Sequence, residues 1–219
     1  MRLFRNKFAP FATNCYVRED GVIIDPGLGA ARWINELATT ANIKPSAIIL
    51  SHGHLDHSYD AAELSDTWNI PLYVSKEDAY LLEDPMKGIR PESAEAFPDV
   101  PRLVLADVAR LDYLPNSGEF MDFKLYHCPG HTHGSMLLVT DSYAFTGDVL
   151  FQGTVGRTDL PCSTPEEMVE SLTKLQRGGE FALPDTLTIL PGHGEGSTLR
   201  HERMNNPFLL NPGQITQTV

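Results

Sequence analysis

The segment that most constrains the fold is an apolar, strand-like run that leads directly into a cluster of metal-binding side chains. The run ends at Leu50, and two positions later the sequence reads His-Gly-His-Leu-Asp-His. Side chains two apart in an extended chain point the same way, so His52 and His54 can bind one ion. After the chain turns, Asp56 and His57 face a second ion. Burying these groups without a metal would be costly, so the spacing predicts a two-metal site.

Three further candidate ligands sit in the same sequence context. Each directly follows an apolar, strand-like run and has glycine or proline beside it: His131 after residues 123–128, Asp148 after residues 143–146, and His193 after residues 187–190. In layered α/β proteins, binding sites collect where strands end and loops begin. We therefore expect the four segments to converge.

Turn residues and apolar spacing in the rest of the chain predict the other elements of an α/β fold. Apolar spacing and turn residues predict strands over residues 3–8, 13–18, 22–25 and 71–75, and helices over about 30–41, 61–68, 76–82 and 164–175. Asp25, an acid at a strand end, is a candidate for supporting a ligand from behind. His127, His133 and His201 fall outside the ligand pattern, and we expect Cys15, Cys128 and Cys162 to be ordinary reduced thiols.

These motifs, in this order, resemble the metallo-β-lactamase superfamily. The resemblance spans most of the chain and rests on the HxHxDH cluster with Gly130-His131-Thr132, Gly147-Asp148 and Gly192-His193-Gly194. Further segments resemble the glyoxalase II-like hydrolases, especially their short bacterial branch: Asn14-Cys15-Tyr16, Asp25-Pro26-Gly27, residues 147–161 and residues 202–209.

The resemblance implies an α/β protein with a four-layer αβ/βα sandwich, the metallo-β-lactamase fold. It also implies two divalent ions per chain, one bound by His52, His54 and His131, the other by Asp56, His57 and His193, with Asp148 bridging both. Nitrogen and oxygen ligands without cysteine suit zinc, although imidazole and carboxylate also accept iron and manganese.

Length and composition agree with one such domain over residues 1–219. A chain of this length with 42% apolar residues can bury one sizeable core. A net charge of −12 disfavours contact with a nucleic-acid backbone, and no stretch approaches the roughly 20 apolar residues that span a bilayer. The N-terminus lacks a signal-peptide core, so we expect a cytoplasmic protein without membrane or nucleic-acid partners.

The predicted chemistry is hydrolysis of a small-molecule thioester. Two divalent ions lower the pKa of a shared water and supply a metal-bridging hydroxide as nucleophile, which Asp56 would hold in place as the catalytic residue. A thiol with a pKa of ~8.5 leaves as thiolate without a dedicated general acid. The glyoxalase II resemblance implies a 2-hydroxyacyl thioester such as S-lactoylglutathione. Arg157 is a candidate for substrate binding, by pairing with a carboxylate, or for pairing with a structural acid nearby.

Two other interpretations remain open from the sequence. A persulfide dioxygenase would bind a single iron through His52 or His54, His131 and Asp148. A non-catalytic metal-binding module would use the ligands without turnover. Only 25 residues follow Gly194, so the C-terminal helical region that helps glyoxalase II enzymes bind glutathione is not expected here. Residues 83–101 contain four prolines and are either a surface connection or a wall of the substrate cleft.

Overall fold

The computed structural model describes residues 2–90 and 110–217. The chain divides into two compact units, an N-terminal unit over Met1–Leu114 and a C-terminal unit over Pro115–Val219. Each unit contains one six-stranded sheet with both parallel and antiparallel neighbours. The prediction that residues 1–219 form a single domain stays a prediction.

The sheet of the N-terminal unit follows the order of the sequence. Its strands are β1 (Leu3–Phe8), β2 (Thr13–Arg18), β3 (Val22–Ile24), β4 (Ala47–Ile49), β5 (Leu72–Ser75) and β6 (Leu111–Leu114). The first three strands pair antiparallel, and β3 to β6 pair parallel. Strands β3, β4 and β5 are short and almost wholly apolar, as expected for strands that are covered by other elements, whereas Asp112 and Tyr113 of β6 are exposed.

Helices connect the parallel strands of this unit and bury an apolar stripe against them. They are α1 (Ala30–Thr40), α2 (Leu55–Ser58), α3 (Ala61–Trp68) and α4 (Ala79–Glu83), with 3₁₀ turns over Lys76–Asp78 and Pro85–Gly88. Ile34 of α1 and Leu64 of α3 share one core cluster with Ile48 and Leu72 of the sheet. Each such buried side chain contributes about 1.5–3 kcal/mol of transfer free energy.

The sheet of the C-terminal unit has the order β12-β11-β10-β9-β8-β7. Its strands are β7 (Ser117–Phe120), β8 (Phe123–His127), β9 (Met136–Val139), β10 (Tyr143–Gly147), β11 (Thr188–Pro191) and β12 (Ser197–Thr198). Within this sheet, only β10 and β11 pair parallel among the described strands, and the chain between them contains α5 (Pro165–Leu175). Two short helices close the unit, α6 (Leu199–Asn205) and α7 (Pro207–Leu210), and are followed by a 3₁₀ turn over Pro212–Gln217.

The sequence predicted most of these elements to within a few residues. The helix expected over 61–68 is observed at those bounds, and the helix expected over 76–82 begins as a 3₁₀ turn before α4. The predicted excursion over residues 83–101 is described only to residue 90, and residues 91–101 lie outside the described part, so its role stays a prediction. In the parts of the chain that the structure covers, no helix has the length and apolar character to cross a bilayer.

Candidate metal centre

The histidines of the N-terminal unit lie in the loop that leaves β4. His52 and His54 are both buried, and His52 Nε2 lies 3.1 Å from His54 Nδ1. Two nitrogens that share one tetrahedral ion lie about 3.3 Å apart when each metal–nitrogen distance is about 2.0 Å. The pair therefore fits a common divalent ion.

Asp25 orients the imidazoles of this loop from behind. Its carboxylate, 2% exposed at the end of β3, accepts hydrogen bonds from the Ser51 backbone N–H and the Ser51 hydroxyl, each at 2.7 Å. It also accepts from His57 Nδ1 at 3.1 Å, and Ser51 Oγ lies 3.0 Å from His52 Nδ1. Asp25 thus lies behind the candidate ligands, where the sequence analysis expects it.

This network fixes which ring nitrogens carry protons. A carboxylate only accepts, so the His57 proton must lie on Nδ1. The Ser51 hydroxyl gives its proton to Asp25, so its oxygen accepts from His52 Nδ1–H. Both rings consequently present Nε2 as a lone-pair donor, the arrangement found in metal-binding histidines whose other nitrogen is held by an acceptor.

Asp56 and His57 lie in the single turn of α2 at the end of the same loop. Thr13 Oγ1 donates to Asp56 Oδ2 at 2.9 Å, and His57 Nε2 lies 3.5 Å from that same oxygen. Gly27 is needed here, because a Cβ at that position would lie 2.0 Å from the backbone oxygen of Asp56. The Asp-Pro-Gly segment thus fits directly against the turn that carries the two side chains.

Asp60 stabilises the same region by accepting a hydrogen bond from the first turn of a helix that is distant in sequence. Its Oδ2 accepts from the backbone N–H of Ala31 at 2.8 Å in the first turn of α1, while its own N–H donates to Pro26. Burial raises the pKa of the Asp60 carboxyl. The loop after β3 and the segment between α2 and α3 are therefore held together by one side chain.

Asp78 is a supporting residue that the sequence reasoning missed. It is fully buried, and its Oδ2 accepts from the backbone N–H of Gly53, between the two histidines, at 2.8 Å. A Cβ on Gly53 would lie 2.7 Å from the Asp78 backbone oxygen, so the approach requires glycine. The available signal, an acid at the start of a helix, is too common to indicate this role.

In the C-terminal unit, three candidate ligands meet at one carboxylate. Asp148 follows β10 and is buried, and its Oδ2 lies 3.4 Å from His131 Nε2 and 3.4 Å from His193 Nε2. His131 Nδ1 donates to the backbone oxygen of Arg157 at 2.8 Å, so its Nε2 is again the atom left for a metal. The structure thus brings together the members of the ligand set that belong to this unit.

The other histidines lie away from these groups. His133 Nδ1 contacts Glu167 at 3.1 Å on an exposed face, His127 contacts the backbone oxygen of His133, and His201 is exposed. The three cysteines are buried thiols that form no disulfide. Burial also raises the pKa values of the Cys15 and Cys128 thiols, which favours the protonated form.

Arg157 pairs within its own loop. Its Nε and Nη2 donate to the Asp159 carboxylate at 2.5 and 2.9 Å, and this pairing raises the pKa of the guanidinium. The sequence analysis considers either a substrate carboxylate or a structural acid as the partner of Arg157, and in the structure Asp159 is such an acid. Recognition of a substrate by Arg157 stays a prediction.

Comparison with known proteins identifies the family. A model described as the metallo-beta-lactamase superfamily matches residues 9–193. The chain is 34% identical to hydroxyacylglutathione hydrolase GloC of Haemophilus influenzae, over 91% of this chain and 93% of the relative. It is 31% identical to the probable metallo-hydrolase YqgX of Bacillus subtilis, over 95% and 98% of the two chains.

Solved structures agree with this assignment. TTHA1623, solved in a di-iron-bound form, has a TM-score of 0.80 and 32% identity, covering 94% of this chain and 99% of that one. The fold class predicted from the sequence, α/β with the metallo-β-lactamase fold, is thereby confirmed. The chain belongs to the metallo-β-lactamase superfamily, among its metal-binding hydrolases.

Proposed function

We propose that this protein is a cytoplasmic thioester hydrolase that uses two divalent metal ions. The observation that carries the proposal is the orientation of three imidazoles. His52, His57 and His131 each present Nδ1 to a hydrogen-bonding partner within their own unit, which leaves Nε2 for metal. Histidines that only fill a core do not need this shared arrangement. The 34% identity to hydroxyacylglutathione hydrolase GloC supports the thioester as substrate class.

The proposed ligand assignment follows the family pattern residue by residue. His52, His54 and His131 would hold one ion, and Asp56, His57 and His193 the other, with Asp148 as a ligand that both ions would share. Zinc suits this set, and iron or manganese would also be accepted. The di-iron form of TTHA1623 makes iron the alternative to test first. When bound, the ions would lower the pKa of a coordinated water toward neutrality and polarise the thioester carbonyl.

The chain's own residues would position the reactants. Asp56, held by the Thr13 hydroxyl, presents a carboxylate that can accept a proton from the attacking water and keep it aligned. A thiolate leaves without protonation, which agrees with the absence of an assigned general acid among the described residues near Asp56. Arg157 remains the proposed contact for a substrate carboxylate, and using it would require the guanidinium to exchange its pairing with Asp159.

Metal quantification combined with a thioester screen tests this proposal. The purified protein should contain about two ions per chain and hydrolyse S-lactoylglutathione or a smaller 2-hydroxyacyl thioester faster than a matched oxygen ester. Asp148→Ala should lower both metal content and rate, whereas His201→Ala, which changes an exposed residue, should leave both unchanged.

Other outcomes would identify a different function. One iron per chain with oxygen uptake on glutathione persulfide would replace the hydrolase with a dioxygenase. Full metal loading without turnover of any ester or thioester would indicate a binding module. Wild-type metal content in the Asp148→Ala variant would contradict the bridging role.

A further inference from the structure

Helix α6 carries a buried carboxylate that takes no part in the ligand set. Glu202 is 0% exposed and accepts hydrogen bonds from three donors. They are the backbone N–H of Gly153 at 2.8 Å, the Asn206 side-chain amide at 2.9 Å, and the hydroxyl of Ser197. Burying a carboxylate costs free energy unless hydrogen-bond donors surround it. The three donors offset this cost, and their positions indicate which part of the chain Glu202 holds in place.

Asn206 contacts the same short turn, which runs from Phe151 to Thr154 and contains Gly153. It is also fully buried, and its Oδ1 caps α7 by accepting from the backbone N–H groups of Phe208 and Leu209 at 3.1 and 3.4 Å. Its Nδ2 points the other way and lies 3.3 Å from the Phe151 oxygen and 3.0 Å from the Thr154 oxygen. The pair Glu202–Asn206 therefore contacts three main-chain groups of one short turn, the N–H of Gly153 and the oxygens of Phe151 and Thr154.

That turn is the middle of a segment that contacts each candidate ligand of its unit. We call residues 148–157 the ligand loop. Asp148 begins it, and the Phe151 ring lies edge-on to His193, with ring centres 6.0 Å apart at 89°. At the other end, the backbone oxygen of Arg157 accepts from His131 Nδ1. A shift of the ligand loop would therefore move the surroundings of all three side chains.

We propose that Glu202 and Asn206 are positioning residues for the metal centre, which they serve by fixing the ligand loop through its main chain. The inference rests on the proposed function, because it assumes that Asp148, His131 and His193 bind metal. Hydrogen bonds to backbone groups are suited to this role, because they fix the backbone conformation of the turn independently of its side chains. Neither residue is expected to touch the substrate.

Asn206→Asp is the sharpest test, because it changes the role of one atom without changing the shape of the side chain. An aspartate still caps α7 through Oδ1. It replaces the donor Nδ2 by an oxygen that faces two backbone oxygens and the Glu202 carboxylate. We expect faster hydrogen exchange at the Gly153 amide, an altered absorption spectrum of the cobalt(II)-substituted protein, and metal affinity lower by about 10-fold. The kcat should fall with little change in KM.

Arg203→Ala provides a matched control on the same helix. The side chain of Arg203 is only 5% exposed, but it donates to the backbone oxygens of Leu175, Leu183 and Gln176 and to Asp185, none of which belongs to the ligand loop. This variant should lose stability while keeping the cobalt spectrum, the Gly153 exchange rate and the metal affinity of the wild type.

A second pair keeps the test decisive if Asn206→Asp does not fold. Glu202→Gln can accept from Gly153 and Asn206 with its oxygen and donate to Ser197 with its nitrogen, whereas Glu202→Ala cannot. The glutamine variant should therefore retain the wild-type cobalt spectrum that the alanine variant loses. Folded alanine or aspartate variants with wild-type spectrum and affinity would overturn the positioning role. If the wild type itself binds no metal, the proposed function fails instead.

Discussion

Replacing Asp25 by asparagine should impair metal binding by changing where two imidazoles carry their protons. Asparagine tolerates the positive φ of 53° at this position and matches the volume of aspartate. The Ser51 backbone N–H can only donate, so the amide oxygen must take the Oδ1 position and the NH₂ group the Oδ2 position. The NH₂ group then faces His57 Nδ1 and forces it to accept, which moves the ring proton to Nε2. The Ser51 hydroxyl also loses its acceptor and donates to His52 Nδ1 instead, which moves the ring proton of His52 to Nε2.

The expected magnitude follows from the number of ligands affected. Loss of one outer hydrogen-bond partner of a metal ligand lowers affinity by about 10- to 100-fold. Because Asp25 sets the tautomers of both His52 and His57, we expect the upper end, about 100-fold or ~2.7 kcal/mol. Folding of the metal-free protein should change less, by ~1 kcal/mol, because each donor can find a new partner.

Competition titration of the metal-free protein with Zn²⁺ and a chromophoric chelator measures the affinity. The ¹⁵N shifts of the His57 ring report its tautomer directly. Asp141→Asn, in the exposed bend between β9 and β10, is the matched control and should bind metal as the wild type does. An Asp25→Asn variant with wild-type affinity, or with the His57 proton still on Nδ1, would refute the tautomer argument.

Three further predictions concern other parts of the chain. Thr13→Val removes the donor to Asp56 and should lower both kcat and metal affinity by about 10-fold, whereas Thr13→Ser should retain most of both. Equal rates and affinities in the two variants would exclude a role for this hydrogen bond. Hydrogen bonding from Arg203 lowers the pKa of Asp185, so their contribution to stability is present at neutral pH and lost as the pH falls below about 4. Acid titration of unfolding should therefore be steeper in the wild type than in Asp185→Asn, and identical curves would contradict the coupling. A thiol reagent at pH 8 should label the native protein slowly and the unfolded protein fully, at Cys15, Cys128 and Cys162.

The sequence predicted those features that local pattern controls. Apolar runs placed β4 and β10, and a helical period placed α1 and α3, because both signals depend on neighbouring residues alone. The candidate ligands were readable for the same reason, since each directly follows a strand. Three strands of the C-terminal unit, β7, β9 and β12, were not predicted. β7 is mostly exposed and β12 has only two residues, so neither carries an apolar pattern, whereas the buried apolar run of β9 is a signal that the sequence analysis did not use.

The supporting residues around the candidate ligands were mostly beyond sequence reasoning. Asp78 contacts Gly53 across 25 positions, and Thr13 contacts Asp56 across 43. Glu202 reaches Gly153 across 49 positions. These contacts form only when the folded chain brings distant residues together. The sequence around a single aspartate, threonine or glutamate therefore does not indicate which of them will make such a contact. Asp25 could be anticipated only because it ends a predicted strand.

The hydrogen bond from His131 to residue 157 uses a main-chain oxygen, and this has a consequence for substitutions at that position. Every amino acid supplies the same carbonyl, so mutation at this site can alter what the side chain recognises while the imidazole keeps its acceptor. Substitution of Arg157 can therefore change the charge and the pairing with Asp159 at this position without removing the hydrogen-bond acceptor of His131.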